Sequence, residues 1–191
     1  MFTNRNKKII LASNSPRRSQ ILRDAGFSFE VKSKNVEEIY PESTSLEDIP
    51  VYLAELKADA FRDEMQSDEI ILAADTIVIH DQQVLGKPKD PKDAKEMLKK
   101  LSGSWHNVVS GVCILSQEKT IIIKDLTKVY FREMSAEEIE YYVNTFKPLD
   151  KAGAYGIQEW IGMTGVEKID GSFYNVMGLP IDKVYRKLIQ F

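Results

Sequence analysis

Two adjacent arginines stand where an anion would dock. The stretch Leu11-Ala12-Ser13-Asn14-Ser15-Pro16-Arg17-Arg18 closes an apolar run with a polar turn. Ser15 is a good helix N-cap, Pro16 suits the first helical position, and apolar periodicity resumes at Ile21, Leu22 and Ala25. Arg17 and Arg18 therefore fall in the first helical turn, where the macrodipole is already positive. That placement costs roughly a few tenths of a kcal/mol unless an anion binds there. Open backbone N–H groups, the Ser13 and Ser15 hydroxyls and two guanidinium forks together make a phosphate site. A solvated basic helix start would look the same from these residues alone.

Other charged residues sit in apolar places. Asp75 interrupts Ile70-Ile71-Leu72-Ala73-Ala74-Asp75-Thr76-Ile77-Val78-Ile79, where an ionised carboxylate is expensive without a compensating cation or donor set. Either it caps the end of a strand, or it is a metal ligand or general base at a strand's C-terminal end, where open α/β sheets bind ligands. Lys57 shares a helical row with Leu53 and Phe61, so it either snorkels to water or faces a pocket. Lys87 stands between Gly86 and Pro88 on a stiff, extended segment. Glu37 and Glu38 form an acidic pair in a polar loop. The stretch Asp150-Lys151-Ala152-Gly153-Ala154-Tyr155-Gly156-Ile157-Gln158 has two glycines that allow close approach to a ligand, or a plain turn. Taken together, these residues suit phosphoanhydride hydrolysis. Arginines and lysines neutralise a polyphosphate, and one or two carboxylates hold a divalent cation and activate water. No Walker A motif or kinase motif set is present.

The elements that position these residues alternate. Strand is expected at Lys8–Ala12, helix at Pro16–Ala25 and a short strand around Phe29–Val31. A capping box at Ser45 and Asp48 with Pro50 predicts a helix to about Met65. A strand from Asp68 through Ala74 continues over Thr76–His80, and a helix at Pro91–Lys100 buries Ala94, Met97, Leu98 and Leu101. Val108–Leu115 and Thr120–Phe131 read as a hairpin. Ser135 with Glu138 caps a helix to about Thr145. Val166–Ile169 and Phe173–Met177 read as a second hairpin around Asp170-Gly171, and a last helix follows Pro180. The expected fold class is α/β, a mixed sheet flanked by helices.

Composition bounds the rest. The chain's 191 residues are enough for one large domain or two packed lobes. Its 43% hydrophobic and 29% charged content is ordinary for a soluble globular protein, and its net charge of −3 creates no global field for nucleic acid. Cys113 is the only cysteine, so an intramolecular disulfide and a cysteine-based zinc site are excluded. His80 and His106 have no metal-ligand partner at motif spacing. The polar start Met1 to Lys8 lacks the apolar core of a signal peptide, and no apolar run approaches the roughly 20 residues of a membrane helix. A cytoplasmic protein is expected.

Five segments in order resemble the Maf family of nucleoside triphosphate pyrophosphatases. They are Leu11 to Arg18, Ala74-Asp75-Thr76-Ile77-Val78, Leu85-Gly86-Lys87-Pro88, Asp150 to Gln158 and Met177-Gly178-Leu179-Pro180. The resemblance implies a single domain over 1–191, related to the inosine triphosphate pyrophosphatases, with a twisted mixed sheet and two lobes around a central cleft. It implies cleavage between the α and β phosphates with a divalent cation, Mg²⁺ or Mn²⁺. Asp75 would be the proton acceptor and, with Glu38, lie on the metal side. Arg17, Arg18, Lys57 and Lys87 would bind phosphates, with Ser13 and Ser15 holding the turn or donating to them. Thr76 and Gln158, with Arg17, would choose the base. The loop Asp150–Gln158 points to the subgroup acting on dTTP, UTP and modified pyrimidine nucleotides, a housecleaning role. Alternatives are a purine preference (7-methyl-GTP, ITP or XTP) and a non-catalytic nucleotide-binding regulator of cell division. A homodimer is expected on the same ground. Two positions depart from the common pattern: Trp105, where Thr or Ser is common, and Glu159-Trp160, where a glycine is frequent.

Overall fold

The structure, a computed structural model, describes residues 7–191; the polar stretch Met1–Asn6 lies outside the described residues. The chain runs β1 (Lys8–Leu11), α1 (Pro16–Asp24), β2 (Phe29–Val31), α2 (Ile49–Asp59), β3 (Glu69–His80), β4 (Gln83–Leu85) and α3 (Pro91–Leu101). It continues through β5 (Trp105–Leu115), β6 (Thr120–Phe131), α4 (Ala136–Phe146), α5 (Trp160–Thr164), β7 (Val166–Asp170), α6 (Phe173–Met177) and α7 (Ile181–Leu188). Among the described residues the strands form a seven-stranded mixed sheet in the order β2-β1-β3-β5-β6-β7, with β4 paired to β3. β1 pairs parallel with β2 and β3, while β3–β4 and β6–β7 are antiparallel. This is the α/β class expected.

The chain divides into two compact units. The first comprises residues up to 76 with 110–125 and 178–191, and the second 77–109 with 126–177. In the first unit Ile10, Ala54, Ala58, Phe61, Ile71, Ala73, Cys113 and Leu115 form a buried cluster. Its small side chains let α2 approach the sheet closely. A Cβ on Gly111 of β5 would lie 2.2 Å from the Pro50 carbonyl oxygen, so this position admits only glycine. Burial pushes the Cys113 thiol up to about 12, which makes it an inert core residue. The second unit is organised around Val78, Leu98, Leu101, Val108, Phe131, Ile139, Tyr142 and Tyr155.

Local chemistry explains most boundaries. Asp90 caps α3, accepting from the Asp93 N–H at 2.8 Å, and Pro91 opens that helix. Ser135 and Glu138 form the expected capping box of α4. At Ser45 the expectation differs from the fold. The Ser45 hydroxyl donates to the Asp48 carboxylate at 2.6 Å, a short 3-10 turn intervenes, and α2 starts at Ile49 and ends at Asp59 rather than near Met65. Phe173–Met177 is a helix rather than a hairpin strand. The Asn175 amide of that segment donates to the Val108 carbonyl at 3.1 Å and to the Thr127 hydroxyl at 3.0 Å. These tertiary bonds outweigh the strand propensity of an aromatic, β-branched sequence.

Candidate active site

β1 ends at Leu11, and the turn after it delivers the two arginines as expected. Ser15 is the N-cap of α1, and the Ser13 hydroxyl accepts from the Ser15 N–H at 3.2 Å and from Arg18 Nη1 at 3.4 Å. Both serines hold the turn. Arg18 Nε donates to the Gly178 carbonyl at 2.8 Å, Nη1 to the Ala74 carbonyl at 2.8 Å and Nη2 to the Thr76 hydroxyl at 3.1 Å. The guanidinium thus fastens the start of α1 to β3 and to the turn before α7. Loss of solvent lowers its pKa, opposed by the negative charge of Asp75, and the Arg17 charge adds to the lowering. Arg17 lies half-buried beside it.

Thr76 belongs to the same knot. Its hydroxyl lies 2.8 Å from Ser110 Oγ and donates to the Gly178 carbonyl at 3.3 Å. Gly178 has φ of 111°, a conformation a side chain rarely adopts, and this brings its carbonyl to both Arg18 and Thr76.

Asp75 was expected at a strand's C-terminal end. Instead β3 runs on to His80, so the carboxylate sits mid-strand. The parallel pairing with β1 stops at Leu11 opposite Leu72, so Asp75 lies three residues beyond it. Lys57 of α2 brings its ammonium 2.5 Å from Asp75 Oδ1 and 2.8 Å from Glu38 Oε1. The lysine and aspartate side chains are only 19% and 14% exposed, whereas Glu38 is 55% exposed. The lysine therefore faces a carboxylate pair rather than snorkelling to open water. Two carboxylates thus converge on one ammonium, and the charges of Asp75 and Glu38 are also felt by Arg18. Among the described residues there is no group of three or more His, Cys, Asp or Glu able to hold a metal alone.

Lys87 and Gln158 belong to the second unit, and both are exposed. Lys87 projects from a segment pinned on one side by buried Pro88 and on the other by Gly86, whose carbonyl accepts from the Gly153 N–H at 3.1 Å. Gln158 follows five buried residues, Gly153 to Ile157. In that run the Tyr155 hydroxyl meets His106 Nε2 at 2.7 Å. Sequence reasoning missed Ser110, the Gly178 carbonyl, His106 with Tyr155, and a group formed by Tyr142, Lys151 and Glu159. The signal available for the last was a lysine inside a glycine-rich, otherwise apolar loop.

An α/β chain with paired carboxylates and a lysine beside a basic helix start has the character of a phosphate-handling enzyme. The family model of the Maf-like proteins matches residues 8–191, and the chain belongs to that family. A Phocaeicola vulgatus protein named dTTP/UTP pyrophosphatase is 51% identical over 182 residues, covering 95% of this chain and 94% of its own. Proteins of the same name from Flavobacterium johnsoniae and Cytophaga hutchinsonii are each 50% identical, covering 95% and 98% of this chain and 93% and 87% of theirs. Among solved structures, the Staphylococcus aureus Ham1 protein superposes with a TM-score of 0.47 at 16% identity, over 65% of this chain and 72% of that one.

Proposed function

We propose that this chain is a nucleoside triphosphate pyrophosphatase that hydrolyses the α–β phosphoanhydride of dTTP and UTP, releasing the nucleoside monophosphate and pyrophosphate. The observation that carries the chemistry is the convergence of Glu38 and Asp75 on one cationic point, the Lys57 ammonium, at 2.8 and 2.5 Å. The choice of substrate follows the names of relatives about half identical over nearly the whole chain.

The donor set fits a divalent cation, Mg²⁺ or Mn²⁺. Hard cations of this kind take one or two carboxylates and complete their shell with water and substrate phosphates. Glu38 and Asp75 would hold it, and when bound it supplies charge neutralisation for the phosphates. The chain's own residues do the rest. Lys57 exchanges part of its carboxylate pairing for phosphate oxygens. Among the described residues Asp75 Oδ2 has no hydrogen-bond partner, so this oxygen can take a proton from an attacking water. Arg17, in the first turn of α1, receives phosphate, and Lys87 supplies a further phosphate cation. Arg18, whose donors are engaged internally, contributes its charge and holds Thr76. Gln158 with Thr76 and Arg17 selects the base. In this reading the enzyme works as one Maf-like domain, as a homodimer in the cytoplasm, on free nucleotides rather than nucleic acid.

Pyrophosphate release by the purified protein across the common nucleoside triphosphates tests the reading, with Mg²⁺ or Mn²⁺ and a chelator control. Metal-dependent release led by dTTP and UTP is expected. Release led by a purine nucleotide would overturn the base assignment, and no release from any nucleotide would overturn the reaction.

A further inference from the structure

The loop 150–159 is closed on itself by a charged ring that the proposed reaction does not use. Lys151, only 9% exposed, places its ammonium 2.7 Å from Asp150 Oδ1 and 3.1 Å from Glu159 Oε1. The other Glu159 oxygen, Oε2, accepts from the Tyr142 hydroxyl of α4, and that hydroxyl accepts from the Gly156 N–H at 3.0 Å. Glu159 therefore holds Lys151 directly and, through the Tyr142 hydroxyl of α4, the middle of the loop backbone. It stands at the N-cap of α5 yet makes no side-chain capping bond there. An acidic N-cap ordinarily turns back to the helix N–H groups; this one is turned to Lys151 and Tyr142. Burial, and then the neighbouring carboxylate, push the Tyr142 pKa up, so the phenol stays protonated and donates.

The loop needs such a hold. Gly153 and Ala154 take consecutive left-handed conformations, φ 67° and 59°. Alanine adopts that region only where its surroundings impose it. Gly156 packs directly under the two side chains that follow. A Cβ there would lie 2.9 Å from Glu159 Cδ and 3.0 Å from Gln158 Nε2. The side chains of Gln158 and Glu159 thus share one backbone platform, and among the described residues the second is the one tied down by hydrogen bonds.

We infer that Glu159 is a positioning residue for base choice: by tying Lys151 and the Tyr142 hydroxyl it fixes the backbone that aims Gln158. This rests on the reading above that Gln158 selects the base. Glu159 touches no reacting atom. A small displacement of a group that orients substrate is enough to change rates strongly.

The test measures kcat/KM for dTTP and for GTP with the full chain, in Mg²⁺, for wild type, Glu159→Gln, Tyr142→Phe and Gln158→Ala. Glu159→Gln removes the charge that holds Lys151, and Tyr142→Phe removes the hydroxyl while keeping the packed ring. Each is expected to lower the dTTP-to-GTP ratio by about tenfold, in the same direction as Gln158→Ala. Adding Glu159→Gln to Gln158→Ala should lower it no further. Loss of folded protein alone would reduce both nucleotides equally and leave the ratio unmoved. If Glu159→Gln fails to fold, Tyr142→Phe decides. A ratio unchanged in Glu159→Gln and Tyr142→Phe but shifted in Gln158→Ala overturns the inference and leaves the base-choice reading standing. A ratio unmoved by Gln158→Ala overturns both.

Discussion

Replacing His106 with glutamine should remove a defined part of the protein's sensitivity to acid. His106 is 2% exposed, with Nε2 2.7 Å from the Tyr155 hydroxyl and its ring stacked on Phe131 at 5.4 Å between centroids. Its Nδ1 is buried without a partner among the described residues. Burial, with a smaller push from His80, lowers its pKa from 6.5 to about 3. Between those values the unfolded chain binds a proton that the folded chain refuses, so folding stability falls as pH drops below about 6.5 and stops falling near 3. Each pH unit in that window is worth about 1.4 kcal/mol, so at about pH 5 wild type has lost about 2 kcal/mol through this residue relative to about pH 7.5. Glutamine keeps a hydrogen-bonding end and does not titrate. Carboxylates that also titrate contribute equally to both proteins and cancel in the comparison. The assay is urea unfolding followed by tryptophan fluorescence. The chain has two tryptophans, Trp105 and Trp160, and both lie in the second unit with His106. With an m-value of about 2 kcal/mol/M, the wild-type midpoint should fall between about pH 7.5 and 5 by about 1 M more than that of His106→Gln. Midpoints that fall in parallel would refute the reasoning.

Three further outcomes are expected. Asp75→Asn keeps shape and hydrogen bonding but removes the proton acceptor, so kcat for pyrophosphate release should fall by ~10² or more; a near-normal rate removes Asp75 from the chemistry. Arg18→Met removes the hydrogen bonds to the Ala74 and Gly178 carbonyls and to the Thr76 hydroxyl, and should lower stability by about 3 kcal/mol in denaturant titration. A loss of activity without loss of stability would instead make Arg18 chiefly a phosphate ligand. Gly111→Ala drives a Cβ to 2.2 Å from the Pro50 carbonyl oxygen; a loss of about 3 kcal/mol is expected, read as a fall in Tm, and a stable variant would show that α2 can move off β5.

What could be read from the sequence depended on whether a residue contradicts its surroundings. Asp75 and Lys57 were visible because a charge in an apolar strand or helical row demands a partner, and the structure makes each the partner of the other. Helix starts were visible because Ser15 and Ser135 act on N–H groups three residues away. Glu38 was not visible on the same ground. It lies exposed in a polar loop where an acid contradicts nothing, and only its approach to Lys57 distinguishes it from Glu37. The two arginines show the deeper limit. As neighbours in one helical turn they have the same residue type, cap and dipole, so sequence reasoning gives both to phosphate. What separates them is that Arg18 meets the carbonyls of Ala74 and Gly178. Every residue carries a carbonyl, so such partners leave no mark in composition or spacing. The same holds for Tyr142, whose hydroxyl takes the Gly156 N–H. Side chains that grip the backbone are set by the path of the chain, and that path must be known before their roles can be assigned.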